Sequence, residues 1–245
     1  MPCSSWGRFN ADIQMILAGL QKNSFIDYPG RISCVLFTTG CNFICPYCHN
    51  AELARGEYPM KIEPAEVLDF LRIRQGMLEG VVITGGEPTL NDGLADICAS
   101  IKSLGYPVKL DTNGSRPEVL QRLLERRLID FIAMDIKAPL NAYAPYSRHP
   151  GIGESLRASI HLIMDRAPAY EFRTTCAAPL VDAPAIASIA ATISGAACYT
   201  LQMFNSRADC LNPEFNQGED AYLPRETLQR LKRVAEPYVQ RCIIR

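Results

Sequence analysis

Apolar positions along this chain fall into short, almost unbroken runs that alternate with longer stretches of helical spacing. The run ISCVLFTTG (32–40) is β-branched and aromatic and predicts a strand. A cysteine-bearing loop follows it, and then EPAEVLDFLRIRQGML (63–78), whose apolar residues recur on one helical face with Pro64 near the start. The unit repeats. GVVITGG (80–86) precedes the helical LNDGLADICASIKSLG, PVKLDTNG (107–114) precedes RPEVLQRLLERR, and DFIAMDIKA (130–138) precedes GIGESLRASIHLIMDRA after a loop rich in Tyr and Pro. Two more units are YEFRTTCAA (170–178) with DAPAIASIAATIS, and CYTLQMFN (198–205) with a polar stretch before RETLQRLKRVAEP.

Six such strands, separated by helices, predict a parallel sheet covered by helices, because strands with continuous apolar character are buried on both faces. The fold class expected is α/β, as a partial (β/α)6 TIM-like barrel with outer helices; an open doubly wound sheet satisfies the same pattern. In either, ligands gather at the carboxyl ends of the strands. Unusual polar groups fall there. Cys41 follows the first strand; Gly85, Gly86 and Glu87 end the second; Asp111, Thr112 and Asn113 end the third; Asp135 and Lys137 end the fourth. The only candidate linker (205–224) lies too near the C-terminus to separate two cores, so one domain over 1–245 is expected, with a short N-terminal extension (1–18) and a C-terminal polar loop and helix (205–245).

Length and composition agree: 245 residues with 48% hydrophobic content can bury a sizeable core. The formal charge of −1 is spread along the chain, so bulk electrostatics give no nucleic-acid or membrane partner. No stretch approaches the roughly 20 apolar residues of a membrane span, and the N-terminal segment lacks the pattern of a secretory signal. A cytoplasmic location is expected. Ten cysteines raise the question of disulfides, but three are clustered and seven scattered, most within apolar runs, which fits a reducing compartment.

The cluster is the segment CNFICPYCHN (41–50), which spaces Cys41, Cys45 and Cys48 as C-x-x-x-C-x-x-C. Iron–sulfur clusters are held by cysteine thiolates, usually four for a cubane. A cubane held by three protein thiolates keeps one iron open, as catalytic metal sites do. The rival is a zinc ion on Cys41, Cys45, Cys48 and His49, making a non-catalytic interaction module. Adjacent ligands at 48 and 49 fit the usual zinc spacings poorly.

The three-cysteine motif after the first strand, Tyr47 just before its last cysteine, and GGEP (85–88) after the second strand resemble the radical S-adenosylmethionine (SAM) superfamily. Within it, GLQKNSFIDYPGRISCVLFTTGCNFICPYCHN (19–50) is similar to the opening of anaerobic ribonucleoside-triphosphate reductase activating proteins and pyruvate formate-lyase activating enzymes; DTNG and MDIK also have counterparts there. The resemblance implies that one [4Fe–4S] cluster binds SAM at its open iron. An electron from the reduced cluster then breaks the sulfonium carbon–sulfur bond, giving methionine and a 5′-deoxyadenosyl radical that abstracts hydrogen. It also implies a glycyl-radical enzyme as partner, an anaerobic ribonucleotide reductase foremost, and a flavodoxin or ferredoxin-type electron donor. Small-molecule chemistry such as deazapurine synthesis, or maturase work, is the alternative within the superfamily.

By that resemblance the backbone of Gly85, Gly86 and Pro88 and the carboxylate of Glu87 lie against the methionine amino group, and Tyr47 near the adenine. Asp111, Thr112 and Asn113 meet the cofactor's carboxylate and ribose, and Asp111 with Asp135 holds a monovalent cation through oxygen ligands. Read without the resemblance, DTNG is an Asx turn, and Asp135 and Lys137 project to one side of a strand and pair with each other. Arg173, Thr175 and Gln202 lie on late strands within reach of the cofactor, although alternation alone does not fix which of them face inward. Ile44 and Ala51 stand where relatives often carry arginine and proline. The chain lacks the inserted ferredoxin-like segment of larger activases, and Cys3, Cys34, Cys98, Cys176, Cys198, Cys210 and Cys242 show no second ligand spacing.

Overall fold

The computed structural model describes residues 13–216 and 221–245. One eight-stranded sheet runs in chain order, β1 (Leu17–Ser24), β2 (Ser33–Thr38), β3 (Gly80–Gly85), β4 (Val108–Thr112), β5 (Phe131–Asp135), β6 (Tyr170–Cys176), β7 (Tyr199–Met203) and β8 (Cys242–Ile244). β1 is antiparallel to β2, and every later pair is parallel. Strands that follow one another in both sequence and space, joined by helical crossovers, wind the sheet into a partial barrel. All six expected strands form. The expectation of six is corrected at both ends, because β1 pairs onto β2 and β8 onto β7.

Among the described residues seven helices fill the connections: α1 (Ala51–Arg55), α2 (Pro64–Ile73), α3 (Leu94–Ser103), α4 (Pro117–Glu125), α5 (Ile152–Arg166), α6 (Ala183–Thr192) and α7 (Arg225–Ala235). Pro64 and Pro117 sit in the first turns of α2 and α4, where a missing amide proton costs nothing. Asp182 caps α6 by accepting from the Ala185 amide at 2.8 Å. α1 was not expected; it is a five-residue helix closed by Gly56 in the left-handed conformation.

Alternation along the strands divides two environments. Leu36, Ile83, Leu110, Met134, Phe172 and Leu201 join the large core beneath the helices. The opposite face carries Val35 and Val82, packed with Tyr28, Phe37 and Phe131, as a small apolar floor. Above that floor the same face turns polar, with Lys109 and Glu171 buried inside the barrel. The N-terminal extension expected over 1–18 is described only from residue 13, and its last residues already begin β1. The C-terminal segment is part of the sheet rather than an appendage, since α7 leads into β8. Among the described residues no helix is long and apolar enough to cross a membrane.

Candidate active site

A cavity of about 480 Å³ opens at the carboxyl ends of the strands. Cys41, Tyr47, Cys45 and Cys48 line it from the loop after β2, Gly85, Gly86 and Glu87 from the end of β3, and Asp111, Thr112 and Asn113 from β4. Asp135, Lys137, Arg173, Thr175 and Gln202 complete the wall from β5, β6 and β7, and His49 and Asp27 reach it as well. Residues scattered over more than 150 positions of sequence thus share one space because parallel strands end on one rim. Pro88 is the exception: it is buried one residue behind the wall and opens a short 3-10 turn, Pro88–Leu90.

The cysteine loop is held by backbone bonds on every side. The amides of Gly40 and Cys41 donate to the Leu53 and Ala54 carbonyls at the end of α1, at 2.7 and 3.0 Å, and the Ile44 amide donates to the Tyr146 carbonyl at 2.8 Å. From the C-terminal segment, the Leu211 and Asn212 amides donate to the carbonyls of Cys48 and Pro46 at 2.9 and 3.0 Å. Arg55 adds a bond to the Leu211 carbonyl at 3.1 Å. Tyr47 packs among Tyr146, Phe204 and Phe215 at ring separations of 6.0–6.4 Å. This wrapping of the loop by residues 204–215 was not visible in the sequence.

The two glycines of GGEP have a reason of their own. A Cβ on Gly85 would stand 2.3 Å from the Thr38 carbonyl oxygen, and one on Gly86 only 2.1 Å from the Gly40 carbonyl oxygen. The space they save lies between the ends of β2 and β3. It lets the Gly86 amide donate to the Thr38 carbonyl at 2.9 Å and the Glu87 amide to the Gly40 carbonyl at 2.7 Å. GGEP is thereby fastened to the start of the cysteine loop.

Glu87 is bonded into the fold through both carboxylate oxygens. Its side chain is buried, with Oε1 accepting from the Thr89 amide (3.0 Å), the Thr89 hydroxyl (2.5 Å) and the Thr112 hydroxyl (2.8 Å). Oε2 accepts from the Asn113 amide at 2.7 Å. Burial raises the Glu87 carboxyl above its ordinary pKa, and these four bonds pull it back down without cancelling the shift. The carboxylate is a strut between the β3 and β4 ends; any acceptor role toward a cofactor amine falls to Oε2 alone. Asn113, so held, donates to Asn42 Oδ1 at 2.9 Å and points its amide at Cys41 Sγ at 3.9 Å.

Asp111 and Asp135 are each divided between two cations. Arg173 lies between them, Nε on Asp135 Oδ1 at 2.7 Å and Nη1 on Asp111 Oδ2 at 3.2 Å. Lys137 Nζ takes Asp135 Oδ2 at 2.9 Å, and Lys109 pairs with Asp111. The pairing expected between Asp135 and Lys137 forms, whereas the place expected for a monovalent cation is held by a guanidinium. Burial alone would raise Asp135, but Arg173 and then Lys137 outweigh it and hold its carboxyl well below the usual range. Burial lowers Lys137 and Arg173, and the carboxylates beside them, Asp135 for Lys137 and Asp111 then Asp135 for Arg173, raise both further.

Three thiols face the cavity, and burial pushes Cys41 up to about 11 and Cys45 up to about 12. Thiolates here need a strong local positive charge, which iron supplies on coordination. A single tetrahedral zinc needs ligands within about 2.0–2.3 Å of one point. Among the described residues no three His, Cys, Asp or Glu side chains converge in that way. His49, the expected fourth zinc ligand, is stacked on Phe204 at 5.2 Å and its burial lowers its pKa. A cubane offers each thiolate a separate iron, so its ligands need not converge on one point. Tyr47 lines the same cavity, and among the described residues its buried hydroxyl has no hydrogen-bond partner. All nine described cysteines are free thiols; Cys34, Cys98, Cys176, Cys198, Cys210 and Cys242 are buried.

Residues 35–166 match the model of the radical SAM superfamily. The chain belongs to that superfamily. It is 34% identical over 242 residues to a protein of Methanocaldococcus jannaschii provisionally named a glycyl-radical enzyme activating enzyme, covering 95% of this chain and 97% of that one. A 7-carboxy-7-deazaguanine synthase of Clostridium acetobutylicum is 32% identical over 114 residues, 45% of this chain and 49% of the relative. Among solved structures, SuiB of Streptococcus suis bound to precursor peptide SuiA superposes with a TM-score of 0.64 at 12% identity, over 86% of this chain and 48% of that one. That likeness is one of fold. As a radical SAM enzyme, the chain uses a [4Fe–4S] cluster and SAM.

Proposed function

We propose that this radical SAM enzyme installs a glycyl radical on a larger partner enzyme, an anaerobic ribonucleoside-triphosphate reductase foremost. The observation that carries the reading is the relative named as a glycyl-radical activating enzyme, which aligns over almost the full length of both chains. Alignment over 95% of the chain also supports reading residues 1–245 as one domain, in keeping with a single sheet that runs from β1 to β8.

When bound, the cluster and SAM together supply a 5′-deoxyadenosyl radical that takes a hydrogen atom from the substrate. Cys41, Cys45 and Cys48 hold the cluster, on a loop pinned by the α1, Tyr146, Leu211 and Asn212 backbone bonds. Asn113 directs an amide proton at Cys41 Sγ, and hydrogen bonds to cluster sulfurs tune the reduction potential. The Gly85–Gly86 backbone forms the wall nearest the loop, and Thr112 and Asn113 are fixed beside it by Glu87. Lys137 and Arg173 make that side of the cavity positive, which favours the cofactor's carboxylate. Tyr47 from the cysteine loop and Gln202 from β7 add to the lining that screens the reacting groups from water. A flavodoxin or ferredoxin-type protein supplies the electron.

Anaerobic reconstitution with iron and sulfide, dithionite reduction and addition of a candidate reductase should yield a glycyl-radical signal in electron paramagnetic resonance. Absence of that signal with every glycyl-radical candidate overturns the activase reading. The partial match to a 7-carboxy-7-deazaguanine synthase favours small-molecule chemistry as the second reading. Deoxyadenosine formation dependent on a small substrate, with no partner radical, decides for it.

A further inference from the structure

Three neighbouring strands send charged side chains into the barrel at the level of the cavity. Lys109 and Asp111 leave β4 two residues apart, Asp135 ends β5, and Arg173 on β6 is the register partner of Asp135. Lys137 follows just beyond β5. The side chains are well shielded, Lys109 at 1%, Arg173 at 11%, Asp111 at 13% and Asp135 at 25% exposure. Each carboxylate gives one oxygen to a lysine and the other to the shared guanidinium: Asp111 Oδ2 and Asp135 Oδ1 both turn to Arg173.

This is the arrangement two carboxylates adopt about a common cation. Hard monovalent and divalent cations are bound by oxygen ligands, and the two oxygens that face the shared position are those that Arg173 occupies. Charge points the same way. Lys109, Lys137 and Arg173 face Asp111 and Asp135, and the neighbouring Glu171 is itself paired with Arg245, so a further cation would enter a set with no surplus of negative charge. Removing the guanidinium would leave two carboxylate oxygens unpartnered in a shielded space, and buried charge without a partner draws one.

We propose that Arg173 is a built-in cation: it fills the position between Asp111 and Asp135 so that the native protein takes no alkali-metal ion there, and its removal converts the pair into an ion site. Arg173 is then a positioning residue, fixing the carboxylates that end β4 and β5 and, through Asp135, the Lys137 ammonium on the cavity wall. The proposal is independent of which partner or substrate the enzyme serves, because its test reads ion binding by the protein itself.

The test compares thermal unfolding of the full chain in potassium chloride, sodium chloride and tetramethylammonium chloride at equal ionic strength, with SAM affinity measured in the same salts. The native protein should show one Tm and one affinity in all three. Arg173→Ala should gain a response: at a potassium concentration tenfold above its Kd, Tm rises by about 3–6 °C over the tetramethylammonium value. Arg173→Lys, which keeps a cation in place, should not respond. A potassium-specific shift of the native protein overturns the proposal, as does an Arg173→Ala variant no more responsive than the native chain. If Arg173→Ala folds only in potassium, the proposal is supported; if it folds in neither salt, Arg173→Gln is judged by the same shift, and its indifference to potassium overturns the proposal.

Discussion

Replacing Glu87 by glutamine separates a strut from a cofactor ligand with a change of two atoms' chemistry and almost none of shape. The carboxylate accepts three hydrogen bonds on Oε1 and one on Oε2. A glutamine keeps its single carbonyl oxygen where the three donors from Thr89 and Thr112 converge. Its amide nitrogen then faces the Asn113 amide, donor against donor. The lost bond to a charged acceptor is worth about 1.5–3 kcal/mol, and an unpaired buried amide costs about 1–3 kcal/mol. Burial already disfavours the Glu87 charge, so neutralisation recovers part of this. A net loss of about 2–4 kcal/mol is expected, which for a chain of this size lowers Tm by roughly 4–16 °C. The loss should appear in the protein without SAM, in thermal unfolding followed by circular dichroism, and should reach Cys41 through Asn113 as a shifted cluster potential. The reasoning is refuted if Glu87→Gln leaves Tm unchanged and abolishes SAM binding, because Glu87 then serves the cofactor and not the fold.

Other consequences follow from the same geometry. Gly85→Ala places a Cβ 2.3 Å from the Thr38 carbonyl oxygen, whereas Gly76→Ala, also at positive φ, meets nothing within 4 Å. Overpacking of this kind costs about 1–3 kcal/mol, so Gly85→Ala should unfold several degrees below Gly76→Ala and bind SAM more weakly; equal Tm values would contradict the close approach of β2 and β3. Asp135 is held ionised below the ordinary carboxylate range, so its stabilising contribution is complete above the unfolded value near 3.9 and is lost as pH falls from there toward the lower folded value. Urea unfolding of native protein and Asp135→Asn between pH 3 and 6 should therefore give a steeper acid slope for the native chain, by up to about 1.4 kcal/mol per pH unit. Matching slopes would mean that Arg173 and Lys137 do not hold Asp135.

Much of this architecture could be read from periodicity. β2, β3 and β5 are apolar on both faces over most of their length, and that character survives in one dimension: ISCVLFTTG, GVVITGG and DFIAMDIKA each contain their strand. β1 escaped because LAGLQKNS buries only its first residues and its last, as an antiparallel edge strand does. β8 is three residues long and follows a helix, too short to show a period. The rim was legible because the parallel rule places every strand end on one side, which gathered Cys41, Glu87, Asp111 and Asp135 without knowledge of their contacts. Partners distant in sequence were not legible, unlike the Asp135–Lys137 pair. Glu87 meets Thr112 and Asn113 across 25 and 26 residues, and Arg173 meets Asp111 across 62. Those distances close only when strand register is known. The packing of Phe204, Leu211 and Phe215 on the cysteine loop lay still further out of reach, since a polar irregular stretch carries no signal of what it covers.

Everything functional rests on three protein thiolates and a fourth coordination position supplied by SAM. Electron paramagnetic resonance of the dithionite-reduced protein, recorded before and after adding SAM, addresses this in one experiment. The account predicts a [4Fe–4S]⁺ signal whose g-values shift when SAM is added, in the native chain and equally in Cys210→Ala, the buried cysteine whose neighbour Leu211 bonds to the Cys48 backbone. A spectrum indifferent to SAM, or a cluster that Cys210→Ala fails to hold, would show that the protein itself fills the fourth position.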